Sequence, residues 1–254
     1  MAYINKQVKP IITAITQNTQ FANNDILFDW TAFDLPKGSS LLKNVTAVLR
    51  HADTAAQTMQ HIHLFFARSI DGVAPASLGT VNATASGTGY FNNIIGGIIL
   101  DKVDALIDGL DFVTVLSSGN SSGTAGGMGA TEIAFSTDDL STAVSQGFER
   151  YYVAAIHHGG AGLNFTTGVL LNQGSNQAAA TVETTLTTDG TDARKVFSVG
   201  DVVVAADGAA VGTVTAVASA TSLTVDAVEA ALEDDDELLV QSPFGLQLSF
   251  EHGK

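Results

Sequence analysis

Short apolar runs with a two-residue period, separated by turn residues, limit the fold of this chain more than any other feature of its sequence. The clearest examples are QHIHLFFARSI (60–70) and FGLQLSFEH (244–252), in which alternate residues are large and apolar. This period is typical of half-buried β-strands, and strands spaced regularly by turn signals are typical of sandwiches and barrels. The sequence therefore predicts an all-β fold, an antiparallel jelly-roll-like β-sandwich with a second, small β-barrel domain near the C-terminus.

The segment VFSVGDVVVAADGAAVGTVTAVASATSLTVDAV (196–228) indicates the small barrel, because it holds three apolar strands separated by an Asp-Gly turn and a small polar turn. The stretch before it, residues 172–194, is interpreted as a spacer. The strand period returns at 244–252, so the barrel is predicted to interrupt the first domain at an exposed loop. The predicted organisation is an N-terminal arm (1–20), a β-sandwich main domain (21–182), an inserted acidic small β-barrel (183–240) and a C-terminal strand that returns to the main domain (241–254).

Residues 92–110 fit a helical period about as well as a strand. Gly96 and Gly97 weaken the helical interpretation, since glycine is unfavourable inside a helix. The sequence leaves helix and strand open for this segment. The Gly- and Ser-rich run at 117–131 is predicted to be a loop.

The charge of the chain excludes one large class of partners. The sequence has 26 acidic and 11 basic residues and a net charge of −15, whereas nucleic-acid binding depends on Lys and Arg. Residues 183–240 hold 12 acidic and 2 basic residues, so most of the excess lies in the predicted barrel. The chain has no Cys, no apolar stretch long enough to cross a membrane and no segment with the pattern of a signal peptide. We therefore expect neither a nucleic-acid nor a membrane partner.

One short motif suggests a serine nucleophile. GNSSG (119–123) matches the G-x-S-x-G pattern around Ser121, which works where a strand turns sharply into a helix. The residues that follow, TAGGMGAT, are poor helix formers. The missing helix argues against a nucleophile elbow at this position.

Histidines suggest a possible metal site. His61 and His63 are two residues apart on a predicted strand, so both imidazoles point the same way, and His157 or His158 could supply a third ligand. The pair resembles the His-x-His of cupins, but Ala67 and Arg68 stand where that family places its carboxylate ligand. A solvated histidine pair is favoured over a metal site, and no cofactor is expected.

Four aromatic residues close together in the sequence allow a second binding hypothesis. Phe21, Phe28, Trp30 and Phe33 could form an exposed sugar-binding cluster. Packing in the core is the favoured interpretation, because Phe and Trp on alternating strand positions usually face the interior.

Three segments of the main domain, 28–51, 63–72 and 150–160, resemble virion proteins of tailed bacteriophages, most closely capsid decoration (cement) proteins with a jelly-roll-like sandwich. Segment 197–240 resembles a small β-barrel that is appended to or inserted in phage structural proteins. The resemblance implies a non-enzymatic virion protein that is made in the host bacterial cytoplasm, binds the major capsid protein on the outside of the shell and stabilises it. A closed homo-oligomer, most simply a trimer, is expected from the symmetry of such shells.

Three alternatives stay open. The first is a tail, baseplate or fibre subunit of a phage. The second is a cupin-like metal-dependent enzyme that uses His61, His63 and His157, and the third is a carbohydrate-binding module.

The N-terminal segment is the predicted contact surface, with Lys6, Lys9, Ile11 and Ile12 at the interface to the capsid or to another subunit. An extended arm can add a strand to the sheet edge of a neighbour through main-chain hydrogen bonds.

Overall fold

Alternating burial along the strands produces a two-sheet sandwich and a separate closed barrel. The computed structural model describes residues 2–13, 17, 19–50, 61–101, 113–118, 133–135, 147–159, 163, 165, 168–172 and 176–253. The prediction of an all-β, antiparallel fold with a sandwich and a small barrel is confirmed.

The first sheet of the sandwich contains both ends of the described chain. In spatial order its strands are β1 (Ala2–Val8), β15 (Phe244–His252), β3 (Ser40–Arg50) and β6 (Val113–Ser117), and the short β7 (Ile133–Phe135) also pairs with β3. β15 pairs with β1 on one side and with β3 on the other. The predicted pairing of segment 244–252 with an early strand is therefore confirmed.

The second sheet packs against the first and is also antiparallel. In spatial order its strands are β2 (Ile26–Pro36), β8 (Phe148–His158), β4 (His61–Arg68) and β5 (Ile94–Leu100). Aromatic rings from both sheets meet between them, and Phe135 contacts Phe250, Tyr151 and Phe66 edge-on at 5.0–5.8 Å between ring centroids. These contacts join the two sheets through one continuous core.

The segment that the sequence leaves open is a strand where the structure describes it. Phe91–Asn93 forms a 3-10 turn and β5 follows directly, whereas residues 102–110 lie outside the described part. Close packing explains why glycine occupies positions 96 and 97 of this strand. A Cβ on Gly96 would lie 3.0 Å from the Ile133 side chain, and one on Gly97 would lie 3.1 Å from the Leu64 carbonyl oxygen.

Six strands close the barrel. They are β9 (Val169–Leu171), β10 (Thr184–Asp189), β11 (Val202–Ala205), β12 (Ala210–Ser219), β13 (Ser222–Val225) and β14 (Glu237–Val240), and a one-turn helix α1 (Ala193–Val196) connects β10 to β11. Alternate residues of these strands form a second core, separate from that of the sandwich. β9 pairs with both β10 and β14, so it closes the ring.

The barrel is larger than the sequence indicates. Its strands begin at Val169, before the predicted boundary at residue 183, and β10 lies inside the stretch 172–194 that is interpreted as a spacer. Val169 pairs with Leu238, which places the two ends of the barrel segment side by side. Gly168 is required there, because a Cβ at this position would collide with the Leu238 carbonyl oxygen.

Candidate functional site

The predicted contact segment is part of the first sheet rather than a free arm. All seven residues of β1 pair with β15 of the same chain. The segment then crosses towards the barrel, where the Ile12 amide donates a hydrogen bond to the Gln241 carbonyl oxygen at 3.1 Å. Ile12 is fully buried in the sandwich core and is not available as a surface contact.

The other three predicted contact residues occupy different environments. Lys9 is exposed, and Ile11 exposes 62% of its surface beside an apolar groove of about 200 Å³ that Val204, Gly208 and Gln241 also line. Lys6 is half-buried and its ammonium lies 5.5 Å from the centroid of the Phe148 ring. An inward-directed Lys on the last strand of a sheet discourages a further strand from pairing there.

Three histidines lie together on the outer face of the second sheet. The rings of His63 and His158 stack with centroids 4.5 Å apart, and His61 pairs with His158 across the two strands. His61 Nδ1 lies 3.2 Å from Asp101 Oδ1. Burial lowers the pKa of His63, and positive charge on His158 and His61 would lower it further.

His157 lies on the opposite face of the same strand. It pairs with Ile62, a core residue, and its imidazole is buried. Its Nδ1 lies 2.9 Å from the Ala22 carbonyl oxygen, so the neutral tautomer with a proton on Nδ1 donates a hydrogen bond there. Burial lowers the pKa of His157, although the bond to Ala22 and the Asp25 carboxylate oppose this shift.

This placement separates the ligands of the hypothetical cupin-like site. His61 and His63 face outwards, whereas His157 faces the core, so the three imidazoles do not converge. Within the described residues, no group of three or more His, Asp or Glu side chains has an arrangement that could hold a metal ion. Ser121 and its GNSSG motif lie outside the described residues.

Three of the four aromatic residues of the sugar-binding hypothesis pack inside the protein. Phe21, Phe28 and Phe33 are buried in the sandwich core. Trp30 is half-buried, its indole N–H donates to the Ala76 carbonyl oxygen at 2.9 Å, and its ring meets Tyr90 edge-on. The favoured interpretation, core packing, is confirmed for the three Phe residues.

A polar contact that the sequence does not reveal joins the barrel to the sandwich. The Arg50 guanidinium, at the end of β3, donates to both carboxylate oxygens of Asp201 and to the Val196 carbonyl oxygen at 2.9 Å. Asp201 also accepts from the Ser198 amide at 2.7 Å. Arg50 and Asp201 are far apart in the sequence, and neither stands in a recognisable motif, so only the folded structure shows their pairing.

Gln17 forms a second link between the two parts. Its side-chain amide is buried and donates to the carbonyl oxygens of Ile12, at 2.9 Å, and Val240, at 2.8 Å. Val240 is the last residue of β14, so this bond holds the exit of the barrel against the segment after β1. Together with Arg50, it fixes the base of the barrel to one end of the sandwich.

No family model matches the chain, and no curated protein matches it. No helix in the described part of the chain is long and apolar enough to cross a membrane.

Proposed function

We propose that the chain is a non-enzymatic structural protein of a tailed-phage virion, a capsid decoration protein that binds the outside of the shell and stabilises it. The sequence resemblance supplies the class of protein. The observation that carries the proposal is the combination of a sandwich with a closed, strongly acidic barrel. The chain leaves the sandwich for the barrel and returns to the sandwich at neighbouring points.

The distribution of charge supports different roles for the two modules. Residues 183–240 carry a net charge of −10 out of −15 for the whole chain. A barrel with this charge repels nucleic acid and keeps crowded particles soluble, so it suits the solvent side of a virion. The sandwich is then the module that faces the capsid.

The exposed side chains of Lys9 and Ile11 are the proposed capsid contact, and the barrel residues that line the groove beside Ile11 are not required for it. Ile11 is among the most exposed large apolar residues of the sandwich, and Lys9 adds a positive charge nearby. The major capsid protein is the proposed partner. A closed homo-oligomer that assembles only on the shell, with a trimer as the simplest case, would place this surface at a symmetry axis of the capsid.

The test is co-sedimentation with undecorated capsids of the phage that encodes the chain. We expect the full chain to bind in a saturable manner and to raise the temperature at which the shell opens. I11D should weaken binding at least tenfold, because a charge at the centre of an interface is costly to desolvate. V182D is the matched control, since Val182 exposes 66% of its surface in the barrel region. Equal capsid binding by I11D and V182D would show that Ile11 is not part of the interface. No binding by the full chain would refute the decoration role.

A further inference from the structure

The middle of the outer face of the first sheet carries no charged residue. Its central outward residues, named here the neutral face, are Asn5, Gln7, Thr46, Val48, Gln247 and Ser249. They form rows across neighbouring strands, since Asn5 stands opposite Ser249, and Gln247 stands between Gln7 and Thr46. Ser249 donates a hydrogen bond to the Asn5 amide oxygen at 2.9 Å.

Most of the charges that border the neutral face are paired. Lys43 lies 3.6 Å from Glu251 near one end of β3, and Arg50 is bound to Asp201 at the other end. Two copies of a chain with a net charge of −15 repel each other, and the repulsion is greatest where acidic surfaces meet. Two copies of the chain can therefore approach each other closely at the neutral face with little electrostatic repulsion.

The chemistry of the neutral face also suits a partner identical to itself. In a two-fold contact, residues close to the axis face their own counterparts. A carboxylate or an ammonium group at the axis would meet a like charge, whereas an amide or a hydroxyl both donates and accepts hydrogen bonds and can pair with its copy. Val48, which exposes 40% of its surface, adds apolar area beside these groups.

Other kinds of partner fit this face less well. None of its six residues is basic, so it offers little to phosphate groups. Tyr3, at the end of β1, is the one aromatic residue that the described strands place beside it, whereas sugar rings require aromatic faces for stacking.

We propose that the neutral face is a contact between two copies of this chain, related by a two-fold axis that passes close to Gln247. Four strands about 4.8 Å apart, with about 3.4 Å per residue, give the sheet a face of roughly 19 by 25 Å. This size lies at the low end of specific interfaces, so we expect reversible association with a Kd on the order of micromolar. The inference does not depend on a role in the virion.

Sedimentation velocity of the purified full chain over concentrations of about 1–300 μM tests the proposal. We expect a monomer–dimer equilibrium. Q247K and Q247E should each raise the dimer Kd at least tenfold, because like charges then meet at the axis. An equimolar mixture of the two variants should restore the dimer, since opposite charges then face each other. Q20K is the matched control, because Gln20 is exposed outside the sheets, and it should leave the Kd unchanged.

T46K provides a second variant on the same face and should also weaken the dimer. Melting temperatures near that of the unchanged chain would show that these variants are folded. The proposal is overturned by a monomer at every concentration, by a dimer that Q247K and T46K leave unchanged, or by the mass of a trimer. A monomer that binds a glycan array through Gln247 would instead assign the face to carbohydrate and would also overturn the proposal.

Discussion

His63 and His157 lie on opposite faces of the second sheet, but the same physical effect acts on both. The imidazole of His157 is buried and that of His63 is half-buried, and burial lowers the pKa of each from the usual value of 6.5. The unfolded chain therefore binds protons at these positions at a higher pH than the folded chain does. Protonation favours unfolding for both residues, and their contribution to stability is lost as the pH falls below about 6.5.

The first prediction concerns this pH dependence. The free energy of unfolding should fall between about pH 7.5 and pH 5.5, before most carboxylates titrate. H157Q should make the fall shallower, because Gln cannot acquire a charge in the core and can still donate a hydrogen bond towards Ala22. Denaturant unfolding at several pH values measures both effects. An unfolding free energy that is constant over this range would contradict the account.

The second prediction concerns Asp201, whose carboxylate is largely buried against Arg50. D201N should lower the free energy of unfolding by about 1–3 kcal/mol, because the guanidinium loses its charged partner while it stays largely desolvated. D192N is the matched control, since the Asp192–Arg194 pair lies nearer the surface and Asn can still cap α1, so the change should cost little. Denaturant unfolding of both variants tests this. A similar loss of unfolding free energy in D201N and D192N would mean that the contact between Arg50 and Asp201 contributes no more than a surface ion pair.

At the scale of the elements, β1 makes the N-terminal segment part of the first sheet rather than a free arm. The sequence suggests an arm whose removal would leave the sandwich folded. The structure shows a strand paired along its whole length with β15, and its Val8 is buried in the core with Ile4 packed against it. Residues 2–8 therefore belong to the sandwich and cannot be removed without cost to stability.

The third prediction follows from this pairing. Removal of residues 2–8 should lower the free energy of unfolding by about 3 kcal/mol or more, because it exposes the apolar surface that Ile4 and Val8 cover and leaves β15 without its partner strand. Y3A is the control, since Tyr3 exposes 78% of its surface and should change stability by no more than about 0.5 kcal/mol. Denaturant unfolding measures the difference. An unchanged stability in the shortened chain would restore the idea of a free arm.

The elements also show which parts of the fold can be predicted from the sequence. β15 is predicted correctly because its burial follows its alternation, with four large apolar residues inside and polar residues outside. β10 is missed because its sequence, TTLTTD, has a single large apolar residue, and its pairing depends on β9 and β13. The contact of His61 with Asp101 arises from the pairing of β4 with β5, which the local sequence does not encode.

At the scale of the whole molecule, the barrel has its own core and its own closed ring of strands, and in the described part of the chain Gln17 and Arg50 link it to the sandwich through hydrogen bonds. Its first and last strands pair with each other, so the chain enters and leaves it at one place. This arrangement is expected of a module that can be inserted into a loop without disturbing the host domain.

Co-sedimentation with undecorated capsids of a chain that lacks residues 169–240 tests the central claim most directly. The deletion follows the observed barrel boundaries, and a short Gly/Ser linker can join its ends because Val169 and Leu238 are neighbours. The account predicts that the shortened chain folds as a sandwich and binds capsids with an affinity within about threefold of that of the full chain. A shortened chain that is folded but no longer binds, beside a full chain that does, would contradict the assignment of capsid binding to the sandwich.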